Sequence, residues 1–140
     1  MAGCDVRELE AWESRSLIGC LYDFQRDTDA MCALIVQDDA AILAKVTTNA
    51  NFDIDTLGIF SSMMFATSRM LAQELGTEGE VLGRITIGTE YLLLVMGITP
   101  KIALVTLSRK SFSKGLLEYQ ARAMLPRMID CLVHRVPEGR

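Results

Sequence analysis

The 140-residue chain is poor in the residue types that most often carry chemistry or stiffen small folds. It has one histidine, three prolines and one tryptophan, and aromatic residues make up only 6% of it. Its four cysteines (Cys4, Cys20, Cys32 and Cys131) are scattered, with no CxxC pair. A structural zinc site needs four Cys/His ligands in closely spaced pairs. With His134 as the sole imidazole, no such set is spelled out and no metal is expected. Basic residues are not in excess either: 14 Lys+Arg against 18 Asp+Glu leave a net charge of −4. A generic binder of the nucleic-acid backbone would show a basic surplus, so no nucleic-acid partner is expected. Apolar runs such as Tyr91–Met96 fall far short of the roughly 20 residues that cross a bilayer. The opening Met1-Ala2-Gly3-Cys4-Asp5 has neither the basic nor the apolar stretch of a secretory leader. A cytoplasmic location without membrane insertion is the expectation.

What the chain does have is apolar substance. Half of it is hydrophobic and its mean hydropathy is +0.25, enough for one domain that buries roughly 70% of its unfolded surface. Cys20, Cys32 and Cys131 lie among apolar neighbours and read as small buried hydrophobes in a reducing compartment. Nothing in their spacing requires a disulfide.

Periodicity orders the elements. Apolar residues at helical spacing from Val6 to Phe24 predict a first helix, with Asp5 as N-cap and Glu8 completing a capping box. Arg26-Asp27-Thr28-Asp29 ends that pattern. Met31–Gln37 and Ala41–Val46 are β-prone runs around the polar tip Asp38-Asp39-Ala40, a hairpin without the stronger Asp-Gly signal. Thr56–Leu75 is a long helix, capped by Asp55 and stopped at Gly76. Val81–Ile87, Glu90–Ile98 and Ile102–Ser108 are strands, the first two joined by Gly88-Thr89 as a type II′ turn and the last two by a tight turn containing Pro100. The last two strands do not alternate, so both their faces are expected to be buried beneath helices. A final helix spans Ser113–His134, with Pro126 as a kink or a new start. The order α-β-β-α-β-β-β-α predicts a single α/β/α sandwich around a five-stranded, mainly antiparallel sheet. Residues 1–13 would be a helical extension, 14–135 the domain and 136–140 a tail.

Catalytic readings fail in turn. The glycine-bearing segment Gly76–Gly83 runs from helix to strand, whereas a phosphate cradle runs from strand into helix, and its two glutamates would repel phosphate. His134 sits at a helix C-terminus, where an imidazolium interacts well with the helix dipole, and no nucleophile stands in its sequence context. Asp38 and Asp39 are ordinary turn residues. No paired-carboxylate or Ser/His/Asp spacing is present, so neither a catalytic residue nor a cofactor is expected.

The second helix is more informative. Leu57, Phe60, Met63, Met64, Met70, Leu71 and Leu75 form one broad apolar face, expected to be its core side. The opposite side carries Gly58, Ser61, Ser62, Phe65, Ser68, Arg69, Ala72 and Gln73, small residues around one aromatic ring where a solvated helix would show charge. Small residues let another helix approach, and an apolar ring among them predicts a partner contact. Val81–Ile87, with Leu82, Arg84 and Thr86 on one face and Ile85 and Ile87 on the other, reads as an edge strand. An edge must be blunted, covered or paired. A two-fold axis there would pair the edge with its copy and set the two second helices side by side.

The element order and several local motifs resemble the Roadblock/dynein-light-chain family, which includes bacterial partners of small Ras-like GTPases. The similarity runs from about Ser14 to Leu132. It rests on Ala33-Leu34-Ile35-Val36, the acidic tip Asp38-Asp39, Ala41-Ile42-Leu43-Ala44, the long Met- and Ala-containing helix, the three-strand meander and the final helix. Asp38-Asp39 in place of Asp-Gly, the upstream Val6–Trp12 and Pro126 depart from the family pattern. The resemblance implies a homodimer whose sheets join through Val81–Ile87, with Leu82, Arg84 and Thr86 as strand contacts. Gly58, Ser61, Phe65, Ser68 and Ala72 would be the helix contacts. The paired helices would form a platform for a small Ras-like GTPase in its GTP-bound form, with Arg69 and Arg84 meeting acidic switch loops. Two other readings are a small-molecule sensor, in which the eight methionines line an apolar cavity, and a light-chain-like structural subunit indifferent to nucleotide.

Overall fold

β-Branched and aliphatic runs build a sheet at the centre, and the computed structural model describes residues 17–28, 30–48, 52–77, 81–109 and 114–133 around it. The elements are α1 (residues 17–28), β1 (Cys32–Gln37), β2 (Ile42–Thr47), α2 (Ile54–Glu74), β3 (Leu82–Ile87), β4 (Tyr91–Thr99), β5 (Ile102–Arg109) and α3 (Lys114–Val133). The spatial strand order is β2-β1-β5-β4-β3, with every neighbouring pair antiparallel. The predicted α/β/α sandwich and its element order are therefore present. Helix α2 carries the chain from one sheet edge, β2, to the other, β3, and the meander β3-β4-β5 then returns to pair with β1.

Side-chain alternation divides the core between the two faces of the sheet. On one face Ala33, Ile35, Leu92, Leu94, Met96 and Leu104 pack against Leu17, Leu21 and Phe24 of α1 and Leu117, Ala121, Met128 and Leu132 of α3. On the other face Leu34, Val36, Leu93, Val95, Ala103 and Val105 pack against Phe65 of α2. Strands β4 and β5 are buried on both sides over most of their length, as their unbroken apolar runs predicted.

Local chemistry sets the ends. Helix α1 runs on to residue 28, beyond the predicted break, because Thr28 Oγ1 donates to the Phe24 carbonyl (2.7 Å) and accepts from the Ala30 N–H (3.3 Å). The proposed cap by Asp5 and Glu8, and His134, lie outside the described residues. The α2 N-cap is Asp53, not Asp55. Its carboxylate accepts from the Asp55 N–H (3.0 Å) and the Thr56 hydroxyl (2.8 Å), and these bonds hold its pKa below the usual 3.8. At the other end Gly76 adopts φ +69°, with its N–H donating to Gln73 and the Thr77 N–H to Ala72. This is a Schellman closure, and the left-handed residue is the glycine the sequence supplies.

One turn differs from expectation, and another, the predicted hairpin, holds a left-handed alanine. The β3–β4 turn has three residues, Gly88-Thr89-Glu90, because Ile87 pairs with Tyr91. In the β1–β2 hairpin the Ala40 N–H donates to the Gln37 carbonyl, and Ala40 itself sits at φ +78°. This left-handed position normally falls to glycine. Asp39 Oδ1 offsets part of the strain by accepting from the Ala41 N–H (3.1 Å). On α3, Leu116 and Ile129 are exposed, and Pro126 is accommodated inside the helix.

Candidate interaction face

Helix α2 lies over the sheet with the side opposite to the one its hydrophobicity predicts. Gly58, Ser61, Ser62 and Phe65 are its buried residues, while Phe60, Met63, Met70, Leu71 and Leu75 are all more than half exposed. Only Leu57 and Met64, on the flank of the apolar face, pack partly against the core. The physical reason is distance. A Cβ on Gly58 would lie 2.7 Å from Ile42 Cδ1, and a Cβ on Gly97 of β4 would lie 3.1 Å from the Phe65 ring. Small residues let the helix axis settle close to the sheet, and Phe65 fills the hollow over Gly97, where the ring is 1% exposed. A bulky Phe60/Met63 face turned inward would hold the helix farther off.

This seating relocates several expected contacts. Gly58, Ser61 and Phe65 face the protomer's own sheet and present nothing to a partner. Ser68 is exposed, while Ala72 and Arg69 are half-buried; Arg69 lines a small cavity of about 240 Å³ with Phe65, Val81, Gly97 and Pro100. Leu82 packs into the α1/α3 side of the core. Arg84 also points to that side: its Nη2 is 3.2 Å from Glu118 Oε1 of α3, and Arg122 holds the other carboxylate oxygen at 3.1 Å. Arg84 is therefore separated from the α2 face by the thickness of the sheet. Thr86 is exposed on the strand.

The residues that do meet are others. Strand β3 is an edge, as predicted, with no neighbour on its outer side among the described residues. Helix α2 lies over β1, β5 and β4, which leaves the β3 residues Ile85 and Ile87 uncovered, at 38% and 43% exposure. Between them and α2 runs an open groove of about 710 Å³, lined by Phe52, Leu57, Phe60, Met64, Ile85, Ile87, Tyr91 and Leu93, with Arg109 and Asp53 among its polar members. The apolar side of α2 and the apolar side of the edge strand thus form one surface. The signal was in the sequence as Phe60, Met63, Met70, Leu71, Ile85 and Ile87. The α2 residues among them are expected in the core, because an apolar helix face is normally the buried one, and the two isoleucines are expected on one face of an edge strand.

Among the described residues no group of three or more His, Cys, Asp or Glu side chains could hold a metal, and no described helix is long and apolar enough to cross a membrane.

Comparison with solved structures decides the fold. MglB of Myxococcus xanthus superposes with a TM-score of 0.80 over 90% of this chain and 94% of its own, at 14% identity. The chain has the Roadblock/LC7 fold. The gliding protein MglB of Thermus thermophilus follows at TM-score 0.72 and 18% identity, covering 85% of this chain and 90% of its own. A Roadblock/LC7 domain from Streptomyces avermitilis gives 0.69 and 12% identity over 83% and 97%. No known family's sequence profile matches the chain, and no curated protein sequence does. At these identities what the comparison shows as shared is the Roadblock architecture.

Proposed function

We propose that this Roadblock-fold protein is a non-enzymatic, homodimeric regulator or scaffold that binds a small Ras-like GTPase. The single observation that carries the reading is the open apolar groove between Leu57, Phe60 and Met64 of α2 and the uncovered side of the edge strand β3 (Ile85, Ile87), together with the exposure of Met63, Met70 and Leu71 on the same helix. Extended exposed apolar patches on soluble folds mark interaction sites, and an open edge strand invites pairing. One two-fold axis beside β3 satisfies both: the strands add to each other, and each α2 covers the isoleucines of the other copy. The outward side of the paired helices then forms the platform for the GTPase, in line with the family resemblance.

Regulation on such a platform is a population shift. The dimer favours one nucleotide state of its partner by as much as its differential affinity for the two, and no further. Compared with the sequence reading, the contact residues move to Phe60, Met63, Leu71, Ile85 and Ile87. Arg84 is directed towards Glu118 and away from the platform, while Arg69 is half-buried on α2 and Arg109 lines the groove itself.

Light scattering of the chain alone, and mixed with a candidate GTPase loaded with GDP or a GTP analogue, tests the reading. A dimer that captures the GTP-analogue form selectively is expected, and Phe60→Asp together with Ile87→Asp should return the chain to monomer. A monomeric wild type, or a dimer indifferent to both substitutions, would refute it. Capture without nucleotide preference would favour a light-chain-like structural subunit. The groove beside β3 supports a second reading, a small-molecule sensor. In that case an apolar ligand with an anionic end, facing Arg109, should raise the thermal midpoint of the free chain.

A further inference from the structure

Helices α1 and α3 pack antiparallel on the sheet face opposite α2, and contacts fix two successive turns of the pair. Asp23 of α1 accepts from Arg127 of α3, and a turn away Cys20 and Cys131 bring their Sγ atoms to 3.6 Å. These two cysteines are 111 residues apart in the chain, so folding alone makes them neighbours. They differ in access: Cys20 is wholly enclosed, in a cluster with Leu17, Leu21 and Phe24, whereas Cys131 is half-buried. The third described thiol, Cys32, belongs to the core on the other side of the sheet and cannot compete for either.

We propose that Cys20 and Cys131 are a reversible disulfide site, oxidised by a hydroperoxide, that ties α1 to α3. In the first step the Cys131 thiolate attacks the peroxide O–O bond, giving a sulfenic acid and releasing hydroxide, or the alkoxide of an organic peroxide. In the second step the Cys20 sulfur attacks the sulfenyl sulfur, the S–S bond forms, and the oxygen leaves with the Cys20 proton as water. Two thiols lose two hydrogens, and the peroxide is reduced to water or to an alcohol and water. Closing 3.6 Å to the roughly 2.05 Å of a disulfide asks for about 1.5 Å of sulfur movement, within reach of side-chain rotation. Burial, then the adjacent thiol, pushes Cys20 up to about 11, which keeps it protonated and leaves initial attack to the more accessible Cys131. The site lies across the sheet from the α2/β3 face and does not depend on how that face is used.

The full-length chain, reduced and then treated with hydrogen peroxide, is the test. Intact mass after alkylation should show the loss of two hydrogens, and peptide mapping a single cross-link between the peptides holding Cys20 and Cys131, reversed by dithiothreitol. Because the bond closes a loop of more than a hundred residues, the oxidised chain should melt roughly 10 °C higher. Cys131→Ala and Cys131→Ser should each abolish the cross-link and the gain in melting temperature while keeping a native circular-dichroism spectrum. A gain of one or two oxygens on Cys131 without a cross-link, a cross-link that uses Cys4 or Cys32, or one that survives in either Cys131 variant would overturn the assignment.

Discussion

Replacing Phe65 by alanine removes a ring that is 1% exposed and sits over Gly97 in the α2 side of the core. Phe→Ala at a buried site costs about 3–5 kcal/mol, the transfer term plus the cavity left behind. Collapse into this hollow is limited, because Gly97 offers no side chain and the strand beneath is held by ladder bonds on both edges. For a chain of this size that corresponds to a fall in melting temperature of roughly 10–15 °C. Phe60, on the opposite side of the same helix and 59% exposed, makes the contrast. Phe60→Ala should leave the monomer's stability within about 0.5 kcal/mol and act instead on association. The assay is thermal unfolding by circular dichroism at several protein concentrations, with mass by light scattering. The Phe65 deficit should be the same at every concentration, whereas any Phe60 effect should shrink on dilution, as both chains become monomeric and linkage to association is lost. A Phe65→Ala chain that melts like the wild type but loses mass would refute the seating of α2. It would restore Phe65 to the interface that sequence reasoning assigned it.

Further outcomes follow from smaller features. The buried hydroxyls of Ser61 and Ser62 have no hydrogen-bond partner among the described residues; Ser62→Ala should therefore raise stability by about 1 kcal/mol in urea unfolding, and a loss of that size would show the hydroxyl to be bonded. Ala40 at φ +78° carries a left-handed penalty of roughly 1–2 kcal/mol, so Ala40→Gly should be stabilising by about 0.5–1 kcal/mol after the entropy of glycine is subtracted; a destabilised variant would contradict the turn geometry. Asp53 has its pKa lowered by the Thr56 and Asp55 hydrogen bonds. As pH falls the unfolded chain binds this proton first, so the carboxylate's contribution is complete above the unfolded value near 3.8 and is lost as pH drops through the lower folded value. Wild type should begin to lose its advantage over Asp53→Asn only below about pH 4 in acid-unfolding curves, and an advantage already lost well above pH 4 would exclude the linkage.

Much of the architecture was legible without coordinates, because it rests on local chemistry. Hydrophobic period separated helices from strands. Gly76 ended α2 where a left-handed residue was needed, and the unbroken runs Tyr91–Met96 and Ile102–Val105 required helices on both faces of the sheet. The same local rules placed β3 at an edge from its mixed pattern. Tertiary structure decided the orientation of α2. Its two sides were both compatible with burial, one through bulk and the other through smallness, and periodicity weighs only hydrophobicity. The sheet selects differently: Ile42 approaches Gly58 and Gly97 leaves a hollow for Phe65, so the closest packing comes from the side with the least volume. The displaced Phe60 then joins Ile85 and Ile87 across a groove that no sequence spacing could show, since these residues meet only when the strand comes to lie beside the helix, and Met63, Met70 and Leu71 are left exposed. The Cys20–Cys131 contact is of the same kind. The sequence offers two thiols that read singly as small buried hydrophobes, and the antiparallel packing of α1 on α3 sets them side by side.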